Sequence, residues 1–422
     1  MIIQITDSLN METELPLKHI TRFQYSWEMD YHAVLYVDGY VDPNISCDFR
    51  QFYNSKLRIY LIKSKEQQNI FWGIIVYIMI KREGKLEYIT LKVLSASYLL
   101  DQKLSNCSYQ NVQKTYGEIV REAVEIEGGR IIRNRDLDKI IETPVIRYQE
   151  TVWQFAKKLS SILGICIIPD IVTGRPNFWF GMRKGKEIPC LFEDQYMVDV
   201  FPIAKGNKIS YQIESNMPLK LGDYVIYLKQ KLTIIEVKGY YERGELIFKY
   251  KLGKVAVEGK KQCKKFGMAG LGLWGIVKEV KGESLKVALD IDNNRETGNY
   301  FYPWQPETGN SLYAMPEKGA KVLLYFYDEN QRNGAVIHCL NQKVMNDSYK
   351  KRTLLLSNGN QICLWEDKLS LSKSERQKIS VTNNNISLKT KKEMKLIAGS
   401  TVFLRGKKIM VSAPEELIIN QA

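Results

Sequence analysis

Hydrophobic and polar residues alternate along most of the chain, which is the pattern of β-strands that bury one face. In the first hundred residues this pattern predicts strands at residues 33–41, 57–63, 70–80 and 86–94. Strand-like sequence returns between residues 165 and 257, interrupted by turns such as Thr173-Gly174-Arg175-Pro176. The pattern therefore predicts a mainly β protein with minor α content, whose residues 1–260 form two barrel-like β-rich units.

Two stretches inside this region change to an apolar period of three or four residues, which is typical of amphipathic helices. They lie near residues 115–125 and 151–163. Thr151 precedes the second stretch as an N-cap, and Gly164 follows its last apolar residue, where a left-handed cap is usual. We therefore expect two helices among the strands.

A basic, glycine-containing segment follows at residues 261–272, and this composition favours a linker. Residues 273–342 then hold five short predicted strands, at residues 274–280, 284–291, 300–304, 321–327 and 335–340. A unit of this size and strand number fits a small closed barrel, of which the OB-fold is one type.

The C-terminal segment, residues 351–422, repeats one short unit eight times. Each unit has two apolar residues at positions i and i+2, followed by a polar turn. The paired residues are Ile362 and Leu364, Leu369 and Leu371, Ile379 and Val381, Ile386 and Leu388, Met394 and Leu396, Val402 and Leu404, Ile409 and Val411, and Leu417 and Ile419. Strands this short cannot bury an apolar face alone, so they must stack on neighbours. We expect an intertwined triple-stranded β-helix with these residues on its axis; an antiparallel meander is the alternative.

Motifs for chemistry are few. None of the three histidines, His19, His32 and His338, has the spacing of a metal site, and the seven cysteines are spread singly. Asp290 and Asp292 begin a run with Asn294 and Glu296 that resembles a calcium loop without its glycine and final glutamate, so a solvated hairpin loop is expected. We therefore predict no catalytic residue, no cofactor, no metal and no enzyme activity.

The net charge of +14 indicates attraction to phosphates, anionic membranes or acidic proteins, although scattered solvated lysines also account for it. The first ten residues lack the basic and apolar stretches of a secretory signal, so we expect synthesis in the cytosol. The longest apolar run, residues 70–80, is about half the roughly 20 residues that span a bilayer.

Several segments resemble the VgrG spike proteins of type VI secretion and the related spikes of contractile phage tails. The stretch Arg147-Tyr-Gln-Glu-Thr-Val-Trp-Gln-Phe155 is similar to the most distinctive segment of that family, and Tyr88-Ile-Thr-Leu-Lys-Val-Leu94 resembles its hub. Tyr302-Pro-Trp304 and Gly319-Ala-Lys-Val322 match the pattern of its barrel. The order of hub, barrel and repetitive needle is also that of the family.

This resemblance implies a structural protein: a homotrimeric spike whose hub meets inner-tube and baseplate proteins and whose needle carries effectors into target cells. It also implies a PAAR-type tip protein, for which we expect Leu417, Ile418, Ile419 and Asn420 to form the contact. Assembly in the cytoplasm would precede injection on sheath contraction, with transient membrane contact and no nucleic acid as partner. A type VI apparatus, a prophage tail and an extracellular injector all fit the sequence.

Two other functions compete with this interpretation. A β-helical enzyme that degrades cell walls or polysaccharides would need longer rungs and a carboxylate-lined groove. An OB-fold nucleic-acid-binding protein would use the positive charge and stack bases on Trp274, Tyr300, Tyr302 and Trp304. These aromatic residues would equally serve to fill the barrel.

Overall fold

The computed structural model describes residues 1–41, 48–63, 66–84, 86–133, 139–188, 197–203, 206–254, 268–293, 298–307, 314–329, 331–340, 350–356, 358–373, 377–416 and 418. The chain divides into two compact units, Met1–Leu340 and Asn341–Ala422. Both consist largely of antiparallel sheets, so the predicted mainly β fold class is confirmed. Most of the predicted linker, residues 261–272, lies outside the described residues, and no helix among them is long and apolar enough to cross a membrane.

The first unit begins with a β-rich region that contains both helices. Its strands are β1 (Ile2–Gln4), β2 (Leu9–Thr13), β3 (Leu17–Glu28), β4 (Val34–Val41), β5 (Lys56–Lys63), β6 (Glu66–Glu83), β7 (Leu86–Ser95), β8 (Ser105–Tyr109), β9 (Arg130–Arg133), β10 (Val145–Glu150), β11 (Ile167–Pro169), β12 (Asn177–Phe180), β13 (Met197–Ile203), β14 (Gly206–Ser215), β15 (Tyr224–Tyr227), β16 (Gln230–Glu242) and β17 (Glu245–Gly253). The helices are α1 (Tyr116–Ile126) and α2 (Val152–Ile162).

Twelve of these strands form one large sheet with the order β1-β2-β5-β6-β7-β4-β3-β16-β17-β14-β13, and β15 pairs with β16. The pairing of β3 with β16 joins its two halves, and it sets Tyr25 opposite Gly239. The Tyr25 ring packs against Phe71 from one half and Phe248 from the other, with ring centroids 5.9 and 6.3 Å away. The two predicted β-rich units therefore share a single apolar core.

Both predicted helices are confirmed, and each begins with a capping box. In α2 the Thr151 side chain accepts a hydrogen bond from the backbone N–H of Gln154, whose side chain accepts one from the backbone N–H of Thr151. Gly164 follows the helix with φ of 68°, the left-handed conformation expected of a glycine cap. The helices pack with the two-stranded sheet β10-β8 and the three-stranded sheet β11-β12-β9 around a second core that includes Phe155.

The five predicted barrel strands are confirmed as β18 (Gly272–Lys281), β19 (Ser284–Leu289), β20 (Phe301–Pro303), β21 (Lys321–Phe326) and β22 (Gly334–Cys339). They pair in the order β20-β19-β18-β21-β22. A parallel bridge between Trp304 and Val336 joins the two edge strands, which closes the sheet into a small barrel. Tyr302 and Phe326 lie fully buried in its core.

The second unit contains β23 (Arg352–Leu355), β24 (Asn360–Leu364), β25 (Lys368–Lys373), β26 (Gln377–Thr382) and β27 (Ile386–Thr390). Each strand pairs antiparallel with the next, so one chain forms the meander that the sequence left as the alternative. This differs from the expected wrapping of one strand per face for these five strands. The cause is local: short polar turns reverse the chain, as at Gly359, whose φ is 84°.

Candidate assembly surface

The paired apolar residues of β24 to β27 form two straight rows across one face of the sheet. Strand register aligns Ile362, Leu371, Ile379 and Leu388 in one row, and Leu364, Leu369, Val381 and Ile386 in the other. Leu354 of β23 extends the first row. These eight predicted axis residues therefore share one face, as the repeat required.

This apolar face is exposed in the single chain. Its eight paired side chains retain between 37% and 74% of their accessible area. An open concavity of about 600 Å³ lies over the first row, and Met394 and Leu396 also line it. Soluble monomers rarely expose a contiguous apolar patch of this kind, so the surface has the character of an interface.

The opposite face of the sheet is polar. Thr353, Cys363, Ser370, Ser380 and Ser387 form its central row. The hydroxyl oxygens of Ser380 and Ser387 are 2.7 Å apart and share a hydrogen bond. The sheet is thus amphipathic, with small polar side chains behind a continuous apolar surface.

The later pairs of the repeat form no strand within the described residues of the second unit. Met394, Leu396, Val402, Leu404, Ile409 and Val411 are all exposed, by 49% to 69%. Leu417, Ile419 and Asn420, predicted as axis or tip-contact residues, lie outside the described residues, whereas Ile418 is described and is 65% exposed. These apolar side chains face solvent in the single chain, and their burial would require a partner surface.

Comparison with known proteins turns on the fold, because no protein-family model and no curated protein matches the sequence. One similar structure is the E. coli c3393 protein, a component of the type VI secretion system that resembles the T4 tail proteins gp27 and gp5. It superimposes on this chain with a TM-score of 0.56 and 14% sequence identity. The match covers 77% of this chain and 98% of the c3393 chain. The half-lidded Francisella PdpA–VgrG complex superimposes with a TM-score of 0.57 and 10% sequence identity, and the match covers 90% of this chain and 87% of the other. The lidded form of the complex has a TM-score of 0.57 and 9% sequence identity, and the match covers 91% of this chain and 80% of the other. The chain has a VgrG-like fold.

In this VgrG-like fold the barrel is fastened to the helical region through a buried carboxylate that the sequence did not reveal. Asp292 is 2% exposed, and its carboxylate accepts hydrogen bonds from the Ser108 backbone N–H at 2.5 Å and the Ser108 hydroxyl at 2.6 Å. The expectation of a solvated loop is therefore wrong for Asp292. Asn294 and Glu296 lie outside the described residues.

Further contacts hold the barrel of this VgrG-like chain on β10. Ile146 is buried in the barrel core, although it belongs to β10. The Gln331 side chain accepts from the Ile146 N–H at 3.1 Å and donates to the Ile146 carbonyl at 3.2 Å. Gln110 donates to the Val287 carbonyl at 3.0 Å. The β-rich region and the barrel are consequently linked by directional bonds as well as by apolar packing.

His32 of the VgrG-like chain lies in a chain of hydrogen-bonding side chains. His32 lies between the hydroxyl of Ser97, 2.8 Å from Nδ1, and the carboxylate of Asp101, 3.3 Å from Nε2. Ser97 is fully buried, so this Ser-His-Asp chain offers no accessible nucleophile. Burial raises the pKa of Asp101, but hydrogen bonds from His32 and Thr151 outweigh burial and lower it. No cluster of three or more metal-binding side chains occurs among the described residues.

The four aromatic residues considered for base stacking differ in exposure. Tyr302 is 1% and Trp304 is 9% exposed, because both fill the barrel core. Tyr300 packs against that core, and Trp274 is 37% exposed. These positions do not form a shared stacking surface of the kind that single-stranded nucleic acids require.

Proposed function

We propose that this chain is the structural spike and hub of a contractile injection machine and acts as a homotrimer. The observation that carries the proposal is the exposed apolar face of β24 to β27, continued by the unpaired repeat from Met394 to Val411. Further copies of the same ribbon would bury its apolar face. The VgrG-like fold supports the same conclusion.

Three copies suit this ribbon better than two. Three sheets arranged as a prism would direct every apolar row towards one axis and bring the edge strands of neighbouring sheets together. A sandwich of two sheets would bury the same side chains but leave edge strands open to further pairing. In the prism, the seven described pairs, followed by Leu417 and Ile419, would be the axis residues of the needle, and the small polar row would lie on the side away from the axis.

The function that follows is mechanical. The hub would meet the inner tube and baseplate, and the needle would carry effectors and a PAAR-type tip protein bound near Leu417, Ile418, Ile419 and Asn420. The machine would assemble in the cytoplasm, and sheath contraction would then drive the spike into the target cell. The hydrogen bonds that Asp292 and Gln331 make between hub and barrel would keep the two from moving relative to one another under this force.

Mass in solution tests the proposal directly. Light scattering on the purified chain, whose mass is 48.9 kDa, should give three times that value at all concentrations above the dissociation range. A monodisperse monomer would overturn the assignment. Neighbouring genes for a sheath, a tube and a baseplate would identify the machine.

A further inference from the structure

The residue between the two apolar positions of each repeat unit changes character along the needle segment. In the first five units it is small or charged: Cys363, Ser370, Ser380, Ser387 and Lys395. In the last three units it is large and apolar: Phe403, Met410 and Ile418. The early units thus read apolar-polar-apolar, whereas the late ones read as three consecutive apolar residues.

The strands already described fix where this middle residue points. In β24 to β27 the paired residues lie on one face, and Cys363, Ser370, Ser380 and Ser387 lie on the other. In the proposed needle the later units would also form strands, and the same alternation would turn Phe403 away from Val402 and Leu404. This step rests on the proposed function, because in a needle the pairs face the axis and the middle residues face outwards.

Phe403, Met410 and Ile418, which we name the outer stripe, are among the most exposed apolar side chains of the protein, at 89%, 75% and 65%. Trimer formation would bury the axis pairs and leave the outer stripe in contact with water. Three copies would then present three such stripes around the same part of the needle. Large apolar side chains held outwards in this way mark a binding surface.

The charge beside the outer stripe selects the kind of partner. Residues 389–411, around Phe403 and Met410, contain seven lysines or arginines and a single acidic residue, Glu393, whereas Glu415 and Glu416 precede Ile418. Arg405, Lys407 and Lys408 lie between Phe403 and Met410 in the sequence. Outward apolar side chains bordered by basic ones are the combination with which proteins bind anionic lipid surfaces.

We infer that the outer stripe binds anionic lipid bilayers. Phe403, Met410 and Ile418 would enter the boundary between headgroups and acyl chains, while Arg405, Lys407 and Lys408 would lie beside the lipid phosphates. This adds a specific lipid contact to a needle whose passage through a membrane would otherwise involve no recognition.

Vesicle flotation with the full-length protein tests the inference. Vesicles of phosphatidylcholine alone are compared with vesicles of equal parts phosphatidylcholine and phosphatidylglycerol. The wild-type trimer should float with the anionic vesicles, and the double variant Phe403→Ser/Met410→Ser should lose at least about tenfold in partitioning. The triple variant Arg405→Gln/Lys407→Gln/Lys408→Gln should bind more weakly and with a shallower dependence on salt.

Two matched controls change the same chemistry elsewhere. Ile226→Ser/Leu228→Ser removes exposed apolar side chains from the hub, and Lys18→Gln/Lys281→Gln/Lys318→Gln removes three exposed charges. Both should bind anionic vesicles like the wild type. If these controls lose as much vesicle binding as the needle variants do, the binding depends on overall charge or non-specific hydrophobic contact, and the inference is wrong.

Light scattering separates the two proposals. A trimer that ignores anionic vesicles, or one whose binding survives Phe403→Ser/Met410→Ser, contradicts the lipid contact and leaves the spike assignment intact. If that variant instead abolishes binding to a tip protein, the outer stripe is a protein interface and the lipid inference is wrong. A monomer would remove the spike assignment, and with it the orientation argument.

Discussion

The carboxylate of Asp292 receives both the backbone N–H and the hydroxyl of Ser108, a residue 184 positions earlier in the chain. Asp292→Ala would leave the buried Ser108 N–H without an acceptor. We expect the free energy of unfolding to fall by about 2–3 kcal/mol, since the lost acceptor is charged. Denaturant unfolding measures it. Asp290→Ala, which removes an exposed partner of Lys321, should cost less than about 1 kcal/mol, and equal losses would contradict the assigned role.

The hydrogen bonds to Asp101 predict a loss of stability in acid. Its folded-state pKa lies below the ordinary value of 3.8, so between the two values the unfolded chain binds more protons and stability rises with pH. The contribution is complete above about 3.8 and disappears as the pH falls through the folded value. Asp101→Asn should therefore flatten the pH dependence of unfolding below pH 4.

The control for this measurement is Asp48→Asn, which alters an exposed carboxylate paired only with neighbouring Arg50. Arg50 also lowers the pKa of Asp48, but solvent and salt screen this exposed pair, so the variant should flatten the acid-dependent part of the curve much less than Asp101→Asn does. An unchanged curve in Asp101→Asn would show that the His32 and Thr151 hydrogen bonds do not govern acid stability.

Arg147 carries a positive charge into the core between β10 and α2. Its side chain is buried, and its Nε and Nη1 have no hydrogen-bond acceptor in the described structure. Arg147→Met should raise the free energy of unfolding by about 1 kcal/mol, because relief of desolvation exceeds the lost contact with the Phe155 ring.

The contrasting variant is Lys158→Met on α2, whose side chain also lies over the Phe155 ring. Lys158 is also buried, but it binds the Glu150 carboxylate at 2.5 Å and the Ile146 carbonyl at 3.2 Å. Its removal leaves the Glu150 carboxylate without this charged partner, so the free energy of unfolding should fall by about 3 kcal/mol. Thermal and denaturant unfolding of the two variants should move in opposite directions; parallel losses would refute the distinction.

The join between the halves of the large sheet depends on a glycine. A Cβ at Gly239 would lie 2.1 Å from Cε1 of Tyr25. Gly239→Ala should therefore destabilise the large sheet by about 1–3 kcal/mol through overpacking. Gly253→Ala is the matched change on β17, where the new methyl would meet only the Ile235 Cδ1 at 3.3 Å. Calorimetry should find the second variant nearly neutral.

The needle axis predicts a strong effect of charge. Val402→Asp would bring three carboxylates together on the proposed axis, where desolvation and mutual repulsion oppose assembly. We expect loss of the heat-resistant trimer in gel filtration. Thr401→Asp places the same charge one residue earlier, on the outward side, and should assemble normally. A stable Val402→Asp trimer would show that Val402 is not axial.

Local patterns account for the elements that the sequence predicted well. Thr151 and Gly164 carry their capping chemistry in adjacent residues, so both ends of α2 could be read without tertiary information. Alternation likewise located β4, β7 and the barrel strands within a few residues. These signals depend only on neighbours along the chain.

Long-range pairing explains what the sequence missed. The burial of Asp292 arises because Ser108 approaches it across the fold, and no local spacing encodes that approach. Alternation in β24 to β27 sets which side chains share a face, but the same alternation suits a meander and an intertwined helix. The sequence therefore predicted that the first four pairs share one face, while the partner of each strand was not determined.

The row of Thr353, Cys363, Ser370, Ser380 and Ser387 has side chains that end two atoms from the backbone. In the proposed needle this row would form the outer midline, and such short side chains would add little there to the thickness of the backbone sheet. The work of opening a hole in a membrane grows with the width of the object that enters. Small residues along the outer midline would therefore lower the force that each needle needs to enter a membrane. Bulkier residues there would widen the hole without adding contacts between the sheets of the needle.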